Sequence, residues 1–349
     1  MQTTLTSVKR SQAIDLLKSI AIFGVLTVHT AAAGFNKPIG SFGWVSSLLW
    51  DSLVRGVPIF LMCSGALMLD PEKELPLKKL YLKNILHILV ALFIWAAVYK
   101  IYHLIDTGFS AAGLFQGMKE VVLFKQEFHL YYLQIILLFY VFLPVMRLFV
   151  KYADKKQLQY FLILWFILGI VYPTVKGFWP FTLLSGIPAQ WLMNMTYASI
   201  GYGVLGYYIK KYPARRVWIY PILYAAGIIF VFCGTWYMSA KQGSLYEVFM
   251  EGMSAGVCLM GAGIFGILTT SKITLRKFGA GITRYISKAS FCIYLTHVLF
   301  LYKFKDYNIT IDILPGVISV PLFAAANMAC CIVVYYVLSK IPLIKKWLI

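Results

Sequence analysis

Charge is scarce in this sequence, and negative charge is scarcer still: 13% of the 349 residues are charged, and Asp and Glu together number 13. Soluble domains carry about 25% charged residues, so an ordinary water-solvated surface is excluded. Six cysteines, Cys63, Cys233, Cys258, Cys292, Cys330 and Cys331, all fall inside apolar runs. Their spacing excludes a disulfide framework and a zinc module, and leaves small core residues as the reading. No repeat at a fixed period, low-complexity stretch, nucleophile elbow or metal-binding helix pair is present. Two glycine runs, Gly201-Tyr-Gly203-Val-Leu-Gly206 and Gly261-Ala-Gly263-Ile-Phe-Gly266, match the dinucleotide fingerprint in letters only. Neither follows a strand and both lie inside apolar runs, so close helix packing explains them, as it does Gly252 and Gly256.

Apolar sequence takes the place of charge. Hydrophobic residues make up 60% of the chain, with a mean hydropathy of +0.77. Runs of about 18 or more apolar residues read as membrane spans, and in lipid the backbone must satisfy itself. The fold class is therefore all-α, a polytopic transmembrane bundle filling residues 1–349 as one domain with no separate soluble domain. Ten spans are predicted near 13–34, 45–69, 80–105, 128–149, 158–175, 189–209, 217–238, 247–270, 285–303 and 314–339, with a short amphipathic segment in the connection 106–127. Lys9, Arg10 and the run Ala31-Ala32-Ala33 mimic a cleavable signal peptide, but the spans that follow favour a retained first helix.

A net charge of +19 is read here as topology rather than as nucleic-acid binding. Of the 32 Lys and Arg residues, 21 lie in the termini and alternate connections, 7 in the remaining connections and 4 within spans. The positive-inside rule then puts both termini in the cytosol.

Ionisable residues within spans are costly, which makes each a functional candidate. With that topology His29, Arg55, His129, Glu127, Gln190, Asn194, Glu247, Glu251 and His297 all fall in the outer half, which suggests one outward-facing cavity. Interfacial wetting is the alternative for Glu127, His129 and Glu247, and a satisfied structural histidine is the alternative for His297. Arg55 is harder to dismiss, because a guanidinium cannot shed its proton. Lys18, Lys83 and His87 lie in the inner half. They read either as snorkelling anchors or as a basic mouth for an anionic cytosolic ligand.

These residues carry a resemblance. Ile14-Asp15-Leu16-Leu17-Lys18 followed by His29 resembles the opening signature of acyltransferase family 3, a basic residue and a histidine with ten residues between them. Val54-Arg55-Gly56-Val57-Pro58 through Ser64-Gly65 resembles its second-span motif. Phe128-His129-Leu130-Tyr131-Tyr132-Leu133 resembles its His-Leu-Trp-Tyr-Leu motif, with Tyr131 in place of tryptophan. Tyr294-Leu295-Thr296-His297 resembles its Tyr-Leu-x-His motif. The resemblance implies an integral membrane O-acyltransferase, usually an O-acetyltransferase using acetyl-CoA. It also implies a hydroxyl of an envelope glycan or similar acceptor and a multi-pass location in the bacterial plasma membrane.

Helix geometry bears on the same residues. Lys18 and His29 are eleven residues apart, three turns plus about 20°, so they share one face about 16 Å apart along the axis. A phosphorylated donor with a long arm fits that separation. The expected roles are therefore Lys18, Asp15 and Lys83 for an acetyl-CoA or other acyl-CoA donor, and His29 and Arg55 for catalysis. His129, His297, Glu251 and Asn194 are expected at the acceptor, with no metal. His29 acts either as a general base or as an acyl carrier. Asp15 either orients Lys18 or stabilises the helix N-terminus. The rival reading is a transporter, against which stands the lack of an inverted repeat and of paired broken helices.

Overall fold

The computed structural model describes residues 11–184, 186–271 and 273–349. Lys9, Arg10 and Lys272 lie outside them. The described residues form helices and connections with no strand. The long helices are α1 (Gln12–Ala31), α2 (Phe42–Leu53), α3 (Val57–Met68), α4 (Leu86–Thr107), α5 (Ala111–Val122), α6 (Tyr131–Tyr152), α7 (Lys155–Trp165), α8 (Met195–Lys211), α9 (Ile219–Gln242), α10 (Ala255–Thr270), α11 (Lys277–Asp306) and α12 (Gly316–Leu338). The amphipathic segment expected between 106 and 127 is α5, tied to α4 by an ion pair from Lys100 to Glu120 at 2.5 Å.

Eight segments among the described residues are long and apolar enough to cross a membrane: Gln12–Asn36, Phe42–Met68, Leu77–Ile105, Phe128–Tyr152, Lys155–Val175, Ile219–Gln242, Val248–Thr270 and Gly316–Leu338. The other two expected spans are also helical. α8 has 17 residues, and α11 has 30 but carries Ser287, Ser290, Thr296 and His297 in its buried stretch. Both pack within the bundle, α8 against α3, α6 and α10, and α11 against α1 and α12. Neighbouring helices rather than lipid face those polar groups, which is why the sequence tolerates them.

α1 is the centre of the bundle and touches α2, α3, α10, α11 and α12. Its packing depends on close approach. The second span, expected to be continuous over 45–69, is broken at Val54-Arg55-Gly56. Pro58 at the start of α3 explains the break, because a proline ring clashes with the carbonyl four residues earlier, here that of Val54. The broken segment sits directly on α1. A Cβ on Gly24 would lie 2.1 Å from the Val54 carbonyl oxygen, and one on Gly56 2.4 Å from that of Ala21. Tyr224 Oη donates to the carbonyl of Leu53 at 2.6 Å, so the end of α2 is satisfied.

The glycine runs pack as expected. A Cβ on Gly65 would meet the Gly203 carbonyl oxygen at 1.9 Å, and one on Gly206 that of Met62 at 2.2 Å, so α3 and α8 touch along their backbones. Gly252 departs from the expectation, since nothing lies within 4 Å of its Cβ position. The end of the bundle bearing Arg147 and Lys210, expected on the cytosolic side, is called the inner end here. There Lys210 Nζ donates to the Ala66 carbonyl at 3.0 Å, and Arg147 donates to the carbonyls of Met68 and Lys73. Basic side chains thus cap the C-terminus of α3 and its connection, where the helix dipole favours positive charge.

Candidate active site

Two cavities open from opposite ends of the bundle toward one pair of tyrosines. The inner cavity, of about 440 Å³, is lined by Lys18, Lys83, His87 and Lys288 among others. The outer cavity, of about 90 Å³, is lined by His29, Arg55 and His129 together with Val25, Val57 and Pro58. Tyr132 and Tyr294 form part of both walls. Their rings stand edge to face at 5.7 Å, so they are the partition between the two spaces.

The three lysines of the inner wall come from three elements. Lys18 comes from α1 and Lys288 from α11. Lys83 comes from a wide helical turn, Leu80–Ile85, that leads into α4 and His87. Wide turns of this kind are common at functional sites, because the extra residue re-aims the side chains around it. Three lysines converging on one cavity make it strongly electropositive. Asp15, expected beside Lys18, does not line it. Its carboxylate is buried and accepts from Ser287 Oγ at 2.7 Å, so it joins α1 to α11.

Two imidazoles, those of His29 and His129, line the outer cavity, and that of His297 packs against both of them behind the wall. The His29 and His297 ring centroids are 5.1 Å apart, and those of His129 and His297 are also 5.1 Å apart. His29 is partly exposed to the cavity, while His129 and His297 are buried. His297 Nδ1 lies 2.7 Å from the carbonyl oxygen of Tyr294. A carbonyl only accepts, so Nδ1 carries the hydrogen and Nε2 keeps the lone pair. Nε2 has no protein partner, and neither ring nitrogen of His129 has one. His129 is instead held through its backbone, whose carbonyl accepts from Tyr294 Oη. Asn327 Nδ2 donates to the His297 carbonyl at 3.0 Å, which fixes α12 to α11 at this level. Among the described residues no group of three or more His, Cys, Asp or Glu side chains is arranged to hold a metal ion.

Arg55 owes its place to the break between α2 and α3. Its guanidinium pairs with the carboxylate of Asp51, whose side chain is 2% exposed against 18% for Arg55. Of the expected acceptor residues, Glu251 lies outside the cavity wall but within electrostatic reach of Arg55, and its neighbour Gly252 lines the wall. Asn194 is not brought to the cavity. Its side chain accepts from the Thr196 N–H at 2.9 Å and caps α8. Glu127 is held in a separate outer cluster, accepting from Tyr302 Oη at 2.7 Å and 2.9 Å from His103 Nε2.

Sequence reasoning passed over Asp51, Lys288, Tyr132 and Tyr294 as site residues. Asp51 had a signal, an acid one helical turn before Arg55 in an apolar run. The two tyrosines stand inside motifs singled out for their histidines. Lys288 falls at the start of the span expected over 285–303, and α11, which begins at Lys277, carries it into the cavity wall.

Compared with known families, the chain matches the model described as an acyltransferase domain over residues 11–336. It matches no curated protein and no solved structure.

Proposed function

We propose that this chain, which belongs to the acyltransferase family matched over residues 11–336, carries an acyl group from a cytosolic coenzyme A thioester to a hydroxyl at the outer face of the membrane. The observation that carries the reading is the pair of cavities meeting at Tyr132 and Tyr294, basic on one side and lined by histidine and arginine on the other. A membrane acyltransferase with donor and acceptor in different compartments needs such a division.

In this reading Lys18, Lys83 and Lys288 hold the donor's phosphates, and its arm reaches past the tyrosines. His29 removes the proton of the acceptor hydroxyl as that oxygen attacks the thioester carbon. The carbonyl electron pair moves onto oxygen, where Arg55 stabilises the charge. Collapse of the tetrahedral intermediate reforms the carbonyl and breaks the C–S bond. The leaving thiolate takes the proton back from His29. The products are an acyl ester and free coenzyme A, and His29 is regenerated. His129 offers unpartnered ring nitrogens to the acceptor, and His297 packs behind it and His29. The valine and proline walls and a volume of about 90 Å³ favour a short acyl group, acetyl above all. The family resemblance favours an envelope glycan as acceptor and the bacterial plasma membrane as the location.

The test is purified protein in proteoliposomes with acetyl-CoA and candidate glycan acceptors. Free thiol should appear in step with ester on the acceptor. Movement of the acceptor across the bilayer with no thioester consumed would overturn the reading in favour of transport.

A further inference from the structure

Tyr132 is the one residue of the partition whose polar group is uncommitted. Tyr294 Oη donates to the His129 carbonyl, and its ring packs near those of His129 and His297. The Tyr132 ring packs against Tyr294 and Phe60, and the residue is 9% exposed. Its hydroxyl is fully enclosed and has no hydrogen-bond partner. A buried hydroxyl without a partner is destabilising and uncommon in native proteins, so one that lies against a cavity points to a partner that arrives with the ligand. Nothing about packing requires it, since phenylalanine would fill the same wall. The residue also lines both cavities, at the wall that they share.

We infer that Tyr132 is a donor-specificity residue. Its hydroxyl donates a hydrogen bond to a carbonyl of the thiol-linked arm of the bound donor, at the point where that arm crosses from the basic cavity to the histidine cavity. The inference rests on the acyl-CoA reading above and names a contact within it. The arm of coenzyme A carries two amide carbonyls between its phosphates and its sulfur, so a fixed donor aimed across its path discriminates this arm from a plain alkyl chain. Tyr132 thereby registers the thioester against His29. The lysines behind it recognise only the phosphates. Two recognition elements of different chemistry thus follow one another from the inner cavity to the partition, one reading charge and the other reading the arm.

The two elements separate in a binding experiment that needs no acceptor and no turnover. Titrate coenzyme A, and separately adenosine 3′,5′-bisphosphate, which lacks the arm, into wild type, Tyr132→Phe and Lys18→Ala by calorimetry in detergent. Tyr132→Phe should weaken coenzyme A about tenfold, the equivalent of about 1.4 kcal/mol, and leave the bisphosphate unchanged. Lys18→Ala should weaken both. Melting curves establish that each variant is folded, and Tyr132→Trp, which fills the partition, should lose coenzyme A binding while retaining the bisphosphate if Tyr132→Phe proves unstable. Equal coenzyme A affinity in wild type and folded Tyr132→Phe overturns the role of Tyr132 and leaves the donor reading standing. Parallel losses for both ligands also overturn it, since they report a general disturbance of the cavity. Failure of wild type to bind either ligand overturns the donor reading itself, and this inference with it.

Discussion

His29 and His297 stand ring to ring, with 5.1 Å between centroids, on helices brought together by the packing of α1 along α11. The Tyr294 carbonyl fixes which nitrogen of His297 holds the hydrogen, so His297 presents a lone pair on the side away from that carbonyl. His29 lines the cavity and makes no comparable backbone contact among the hydrogen bonds described. His29 is therefore placed to exchange a proton, and His297 to orient. His29→Ala should lower the transfer rate by roughly 10²–10⁴-fold, the range for a general base. Coenzyme A affinity should change little. His297→Ala should lower the rate less. Single-turnover kinetics beside donor titrations check both, and a His297→Ala defect as large as that of His29→Ala would reverse the assignment.

Arg55 and Asp51 form a buried pair that can be tested for two separate contributions. Removing one partner of such a pair leaves a stranded charge and costs roughly 3–5 kcal/mol. Arg55→Ala should thus lower the melting temperature and abolish transfer. Asp51→Ala/Arg55→Ala together should recover most of the melting temperature, because no stranded charge remains, yet stay inactive. Thermal melts in detergent and transfer assays on the two variants check this. Activity in the double variant would make Arg55 a structural partner only.

Much of this arrangement was legible in the sequence. Apolar runs located the helices, and isolated polar residues within them marked His29, Arg55, His129 and His297, because lipid makes such residues conspicuous. Lys18 and Lys83 were legible for the same reason, and the structure brings both to one cavity. What could not be read was partnership between helices distant in sequence. Asp15 bonds Ser287 of α11, and Asn194 spends its side chain on its own helix end, so neither reaches a cavity. The break at Arg55 was written in Pro58, but an apolar run long enough to span reads as continuous unless the proline is allowed to end it. Tyr132 and Tyr294 carried no such signal. Tyrosine is ordinary in apolar helices, and their meaning comes only from the two cavities on either side.

The break between α2 and α3 is held against α1 by glycine, and this predicts a specific sensitivity. A methyl group on Gly56 would sit 2.4 Å from the Ala21 carbonyl oxygen, a backbone atom of the central helix that has no room to yield. Gly56→Ala should cost roughly 1–3 kcal/mol, as overpacking does, and should carry Arg55 out of register with His29. Gly279 of α11 has nothing within 4 Å of its Cβ position, and Gly279→Ala should be neutral or stabilising by up to about 1 kcal/mol. Melting temperature and transfer rate, measured on both, distinguish a tight contact from a general intolerance of glycine replacement.

Orientation can be checked at the two ends. Lys37 pairs with Asp312 at the end expected outside, while Arg215 lies at the end expected inside. Single cysteines replacing Asn36 and Arg215, probed in intact cells with a membrane-impermeant thiol reagent, should react at position 36 and not at 215. Asn36 is exposed beside Lys37, so the substitution tests exposure rather than packing. The opposite pattern would place the histidine cavity in the cytosol and remove the reason for transfer across the membrane.

The inner cavity makes the last prediction, because its three lysines differ in what each supplies. Lys18 is on the central helix and shares a face with His29, so it alone is fixed relative to the chemistry. Lys83 enters from the wide turn before α4, and Lys288 from α11. If together they bind the donor's phosphates, each substitution to alanine should weaken coenzyme A binding without altering the rate at saturating donor. Hydrogen bonds to charged groups contribute roughly 1.5–3 kcal/mol, which sets the expected loss at roughly tenfold or more for Lys18→Ala. Lys18→Arg keeps the charge and should keep most of the affinity, although an arginine fork does not reproduce a compact ammonium. Raising the ionic strength should weaken wild-type binding and weaken Lys18→Ala less, since one screened contact is already gone. Titrations at low and high salt on the five proteins decide the point. A salt-independent affinity, or a Lys18→Ala variant that binds normally and turns over slowly, would move Lys18 from the donor site to the reaction itself.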